Sequence, residues 1–243
     1  MLRRYARAVA TSRVVGDRHV AMMAEQMVEW AGTDDSRCTK AGILQMLTDS
    51  LTRPEVTENQ SNEAGSERSD LPRQSLLLTC LEGLSEADAG WVLRMSADEL
   101  RAGLELERRT LAEVAPTEVL IIEDEFFISR DLARIVSELG HRVTARAKTR
   151  AQAAAAVEQQ RPGLILADVT LADGSSGVET VSDIDPRGEI PTIFITAYPE
   201  QLLTGAGAEP TFVIGKPYNV EQVRTLIGHC LSLVARPVSV ARS

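Results

Sequence analysis

Val119-Leu120-Ile121-Ile122-Glu123-Asp124-Glu125 is an apolar run that breaks abruptly into acids. A short run of this kind, bounded by polar residues, reads as a buried β-strand. The design returns three times downstream. Leu164-Ile165-Leu166-Ala167 runs into Asp168, Thr192-Ile193-Phe194-Ile195 into Thr196, and Phe212-Val213-Ile214-Gly215 into Lys216-Pro217. Helical patterns alternate with these runs. Ile128, Leu132, Ile135, Val136 and Leu139 form an amphipathic stripe that stops at Gly140, residues 150–160 are Ala-rich, and Val223, Leu226, Ile227 and Leu231 mark a last helix from Asn219 to about Val234. From Thr117 onward five strands and five helices are expected, a flavodoxin-like, doubly wound α/β domain with a five-stranded parallel sheet.

In such a sheet functional groups collect beyond the carboxyl ends of the strands. The four islands should therefore converge on one pocket. Singly, Asp168 could cap a loop, Thr196 end a strand and Lys216 be a surface charge; their joint placement at strand ends points to chemistry. Glu123, Asp124 and Asp168 would repel one another, since two unit charges 4 Å apart at an effective dielectric near 20 cost ~4 kcal/mol. Either one is protonated or a cation sits among them. Mg2+ suits the set, because it takes one or two carboxylates plus waters and phosphate oxygens. On this reading Asp124 and Asp168 bind the metal directly and Glu123 acts through water. A carboxylate can also attack phosphorus to give an acyl phosphate, and Asp168, ending the middle strand, is the candidate. Lys216 would neutralise phosphoryl charge, and the Thr196 hydroxyl would bond a phosphoryl oxygen.

The first half reads differently. Leu2, Tyr5, Ala6 and Val9 fall at helical spacing, as do Val20, Met23, Ala24, Met27 and Ala31, and a third helix is expected from Lys40 to Leu51. Residues 52–70 are rich in Glu, Ser, Asn and Gly, and read as a mobile linker. Residues 71–115 are helical again, with Pro72 in a first turn, Gly83 at a helix end, Ser85 and Asp88 in an approximate capping box and Ser96 and Glu99 in a full one. The last two helices have helix-turn-helix spacing.

The net charge of −9 argues against non-specific binding to nucleic acid or anionic membranes. No apolar stretch is long enough to span a bilayer, and no secretory signal is visible. Cys38, Cys80 and Cys230 are far apart and odd in number, as expected of buried free thiols in a reducing cytosol; a cytoplasmic location follows.

Residues 117–236 resemble the response-regulator receiver domains of two-component signalling. The acidic pair is matched by Glu123-Asp124, the phospho-acceptor by Asp168, the Ser/Thr of the fourth strand by Thr196 and the Lys-Pro pair by Lys216-Pro217. The resemblance implies phosphorylation of Asp168 by a histidine kinase or phosphotransfer protein. It also implies Mg2+ held by Glu123, Asp124, Asp168 and the backbone carbonyl of Thr170. The usual aromatic switch position, three before the lysine, is Val213 here. Phe194-Ile195-Thr196-Ala197-Tyr198 instead resembles an atypical receiver signature, which implies that Tyr198 takes over the switch role.

Arg73-Gln74-Ser75-Leu76-Leu77-Leu78-Thr79 through Glu82-Gly83-Leu84-Ser85 resembles region 4 of an extracytoplasmic-function sigma factor, and residues 1–51 would correspond to region 2. Sigma-like helices followed by a C-terminal receiver resemble the PhyR-type regulators of the alphaproteobacterial general stress response. That resemblance implies an anti-anti-sigma factor with only phospho-acceptor chemistry. Phosphorylation would free the sigma-like half to sequester a small, NepR-like anti-sigma factor, releasing the true sigma factor. The charge pattern fits a decoy. From Ser96 to Leu111, Arg101, Arg108 and Arg109 stand against Asp98, Glu99, Glu105 and Glu107, and residues 1–116 carry 14 basic and 19 acidic residues, a net −5. A DNA-reading helix needs net positive charge against phosphates, so no direct DNA binding is expected. The rivals are a regulator whose helix-turn-helix binds promoter DNA, and a phosphate sink or Mg2+-dependent phosphatase.

Overall fold

The computed structural model describes residues 2–30, 39–52, 70–171, 173–202 and 212–235. The chain divides into two compact units, residues 1–110 and 111–243.

The first unit is helical. It contains α1 (Leu2–Ala10), α2 (Arg13–Trp30), α3 (Lys40–Thr52), α4 (Leu71–Leu76), α5 (Glu86–Leu93) and α6 (Ala97–Ala112), whose last turn runs past residue 110. Tyr5, Ala6 and Val9 are buried as their spacing predicts. In α2 the buried face differs from the apolar pattern: Met23 is buried, Ala24 is exposed, and Gly16 and His19 go inside. Ala31 lies outside the described residues. Gly16 is there because the backbones of α1 and α2 almost touch. A Cβ on Gly16 would stand 2.7 Å from the Arg7 amide nitrogen. Beside that contact the buried Arg7 guanidinium forms two bonds to Asp17, at 2.8 and 2.7 Å.

The expected 71–82 helix is present with one modification. After α4 it continues as a π-helical turn, Leu77–Leu81, which buries Leu77, Leu78 and Leu81. Glu82 N reaches back to Leu77 O at 3.1 Å, and Gly83, at φ +66°, ends the helix while Leu84 N bonds Leu78 O at 3.0 Å. That is the left-handed glycine stop expected of this position. Ser85 accepts from the Asp88 amide and donates to its carboxylate. Ser96 and Glu99 form the reciprocal box: Glu99 N donates to Ser96 Oγ at 3.3 Å and Ser96 N to Glu99 Oε2 at 2.8 Å. Of the expected linker, residues 53–69 lie outside the described residues, and Thr52 belongs to α3. Cys230 is a buried free thiol and Cys80 is only half-buried. Cys38 is outside the described residues.

The second unit is the expected α/β domain. Its elements are β1 (Glu118–Ile122), α7 (Phe126–Glu138), β2 (Arg142–Ala147), α8 (Arg150–Gln159), β3 (Leu164–Asp168), α9 (Gly177–Ile184), β4 (Thr192–Thr196), α10 (Pro199–Leu202), β5 (Phe212–Gly215) and α11 (Val220–Ala235). The five strands are parallel, in the order β2-β1-β3-β4-β5. Val119 to Ile122 and Leu164 to Leu166 are fully buried, because helices cover both faces. One face packs Leu120, Ile122, Ile165, Ala167, Phe194 and Val213 into a cluster with Ala153 of α8. Leu132, Ile135 and Val136 of α7, and Val223, Leu226 and Ile227 of α11, are buried as their stripes predict. β1 and β3 are neighbours from which the chain winds in opposite directions, so the crevice at their carboxyl ends is the topological switch point. No helix among the described residues is long and apolar enough to cross a membrane.

Candidate functional site

The register of the sheet brings the strand-end residues level. Asp168 pairs with Ile195 across β3 and β4, and Thr196 with Gly215 across β4 and β5. Glu123 extends β1 by donating its amide to Ala147 O at 2.8 Å, and Lys216 extends β5 by donating to Thr196 O at 2.6 Å. The Lys216–Pro217 peptide is cis.

Lys216 is the hub. Its Nζ lies 2.9 Å from Glu123 Oε2, 2.9 Å from Asp168 Oδ2 and 3.5 Å from Glu125 Oε1. Burial alone would pull the ammonium's pKa down; the bonds and charges of Asp168 and Glu123 outweigh it, and the net shift is upward. Glu123 responds the other way. Its burial pushes the carboxyl up to about 7, against the pull of Lys216. A buried carboxylate that Lys216 leaves under-compensated is an arrangement a cation would relieve. One oxygen from each of Glu123, Glu125 and Asp168 lies within 4.8 Å of the other two. Hard carboxylate oxygens beside a negative pocket fit Mg2+. Asp124 is half-buried next to this trio without being part of it.

Asp168 is held through its backbone as well. Its Oδ1 accepts from the Val169 amide at 2.6 Å. The following loop folds back through an isolated antiparallel bridge between Thr170 and Ser176. The bridge's bonds run from Leu171 N to Ser175 O and from Gly177 N to Val169 O, flanking Thr170. Gly177, the first residue of α9, passes so close that a Cβ there would sit 1.7 Å from the Asp168 carbonyl oxygen. Thr196 is buried and its Oγ1 accepts from the Tyr198 amide at 3.1 Å, leaving the hydroxyl hydrogen to donate elsewhere. Tyr198 is exposed, and Val213 is buried in the sheet.

The structure brings Glu123 and Asp168 onto Lys216 and sets Thr196 beside Lys216 through the backbone, with Asp124 and Thr170 on the adjoining loops and Tyr198 two residues beyond Thr196. The sequence reading missed Glu125 and Gly177. Glu125 stands in the quoted run, where nothing in the sequence tells its role from that of Asp124. Gly177 bears no functional group, and only the spacing of Gly174 and Gly177 after Asp168 hints at a tight return. In the first unit, two arginines of α6 are engaged with acids: Arg101 with Glu86 and Asp98, at 3.3 Å each, and Arg109 with Glu105 at 2.9 Å.

Comparison with known proteins agrees with this architecture. Residues 119–228 match the family model of the response regulator receiver domain. The chain is 43% identical over 240 residues to the phyllosphere-induced regulator PhyR of Methylorubrum extorquens, covering 95% of this chain and 90% of that protein. A mutant of the anti-anti-sigma factor PhyR from Bartonella quintana superposes with a TM-score of 0.84 at 36% identity, covering 96% of this chain and 94% of that one. The response regulator PhyR from Brucella abortus superposes with a TM-score of 0.82 at 33% identity, covering 96% and 90%. A likeness that runs through both units, and not the receiver alone, makes this chain a member of the PhyR family of response regulators.

Proposed function

We propose that Asp168 is the phospho-acceptor of a cytoplasmic anti-anti-sigma factor, and that its phosphorylation frees the helical half to bind a NepR-like anti-sigma factor. An extracytoplasmic-function sigma factor is thereby released for stress transcription. Residues 1–51 act as the region-2-like part of the decoy, residues 71–115 as the region-4-like part, and residues 117–236 as the receiver. The observation that carries the reading is the bond from Lys216 to Asp168 at the carboxyl edge of the sheet, in a chain alike over its whole length to a protein named an anti-anti-sigma factor.

In the transfer step an Asp168 carboxylate oxygen attacks the phosphorus of a phosphohistidine on the kinase or phosphotransfer protein. The P–N bond breaks, its electron pair stays on the imidazole nitrogen, and an acyl phosphate forms. Water attack on phosphorus later returns the carboxylate and releases inorganic phosphate. Lys216 donates to a phosphoryl oxygen, and the free hydroxyl hydrogen of Thr196 donates to another. Mg2+, when bound by Asp124, Asp168 and the Thr170 carbonyl with Glu123 through water, supplies positive charge against the phosphoryl oxygens. As Thr196 turns towards the phosphoryl group it gives up the Tyr198 amide, and the exposed Tyr198 moves with that loop. A nearly complete shift from closed to open needs up to about 5.5 kcal/mol of differential stabilisation, less where the anti-sigma factor contributes. Arg101 and Arg109 of α6, engaged with neighbouring acids, favour a protein partner over phosphate backbone.

The test is a titration of the protein against a purified NepR-like anti-sigma factor, with and without Mg2+ and acetyl phosphate. Affinity should rise at least about tenfold with the phosphodonor, and Asp168→Ala should abolish the rise while leaving folding intact. An equal rise in Asp168→Ala refutes the site. Phosphodonor-dependent binding of promoter DNA in place of the anti-sigma factor refutes the decoy.

A further inference from the structure

Glu125 is an acid to which the transfer step assigns no part. It occupies the N-cap of α7 in extended backbone, yet its side chain makes no capping bond. The carboxylate turns instead to Lys216, at 3.5 Å, while the Glu125 amide donates to Glu123 Oε1 at 3.2 Å and so fixes the turn. The acids around Lys216 differ sharply in exposure. The side chains of Glu123 and Asp168 are 1% and 11% exposed, that of Glu125 61%. Two carboxylates are therefore buried against Lys216, and the third reaches the same ammonium from the solvent side.

We propose that Glu125 is a positioning residue that gates this site by charge, drawing a divalent cation in, holding anionic phosphodonors off, and keeping a third arm on Lys216 until phosphorylation. The proposal rests on the reading of Asp168 as the phospho-acceptor and adds to it a control on how readily the site is charged. The two electrostatic effects have opposite signs, since a carboxylate on the solvent side attracts a dication and repels an acyl phosphate. Both act largely through solvent, so both are modest and screened by salt. Holding Lys216 works in the same direction as repelling the donor, because the ammonium must leave Glu125 to face a phosphoryl oxygen.

The experiment is calorimetric titration of the full chain with MgCl2 at low and high ionic strength, paired with the rate of phosphorylation by acetyl phosphate at saturating Mg2+. The parent, Glu125→Gln and Glu125→Asp are compared, with circular dichroism as the folding check. Glu125→Gln should weaken Mg2+ binding about three- to tenfold at low salt, with the gap narrowing at high salt. The same variant, once saturated with Mg2+, should be phosphorylated faster than the parent. Glu125→Asp, which keeps the charge, should behave nearly as the parent on both readouts. Mg2+ affinity of Glu125→Gln equal to the parent's, or a difference indifferent to salt, overturns the gate and leaves the phospho-acceptor reading standing. Failure of the parent to bind Mg2+, or phosphorylation that persists in Asp168→Asn, overturns both.

Discussion

At the scale of single residues, Glu123 and Lys216 show why the pocket is poised. The same burial that strengthens the Lys216 bonds leaves Glu123 with a raised pKa, about 7 against the ordinary 4.5. A carboxyl whose pKa is higher in the folded state binds its proton more tightly there. The stabilisation is complete below about pH 4.5 and is lost as pH rises through 7. In chelator-treated protein the receiver should therefore lose up to about 3 kcal/mol between pH 5 and 8, and Glu123→Gln should flatten that slope. Urea unfolding followed by circular dichroism across this range measures it; equal slopes for parent and variant would refute the assignment. Lys216, shifted upward from 10.5, titrates outside this window. The hub was legible in the sequence because charged residues at strand ends have few other reasons to coincide. What was not legible is which acid faces which atom. Asp124 and Glu125 are neighbours in the chain, and only the turn into α7 aims Glu125 at Lys216.

At the scale of elements, the parallel strands and the capping residues Gly83, Ser85 and Ser96 were readable because each depends on local chemistry: continuous apolar runs, Ser before a helix, Gly after one. The α2 face was not. Its buried side includes Gly16 and His19, and no hydropathy pattern predicts that a glycine goes inside because two helix backbones meet there. His19 is accommodated by a hydrogen bond between its Nδ1 and Ser50 Oγ at 2.8 Å, another partner far away in sequence. The π-helical turn at Leu77–Leu81 was equally hidden, since one extra residue per turn leaves the apolar content unchanged. The Gly16 contact yields a prediction against intrinsic preference. Alanine favours a helix over glycine by about 1 kcal/mol, yet a Cβ 2.7 Å from backbone forces α1 and α2 apart. Gly16→Ala should therefore destabilise the first unit by about 1–3 kcal/mol net. Trp30 and Trp91 are the chain's two tryptophans and both belong to that unit, so tryptophan fluorescence follows its unfolding. A midpoint raised by the substitution would show that the helices do not approach so closely.

At the scale of the whole molecule, net charge does not distinguish the two halves. The chain carries −9 overall and −5 over residues 1–116, so the acidic excess is shared between the halves. The α/β half announces itself through its strand ends. The helical half has no such signature, and its reading came from the order of the halves and from likeness along the full length. The carbonyl oxygen of Asp168 lies where any Cβ on Gly177 would have to be, and every other encoded amino acid has a Cβ. In a saturation survey of alleles, position 177 should therefore tolerate no missense change, and its loss-of-function profile should match that of codon 168. A residue without a side chain would then score genetically with Asp168.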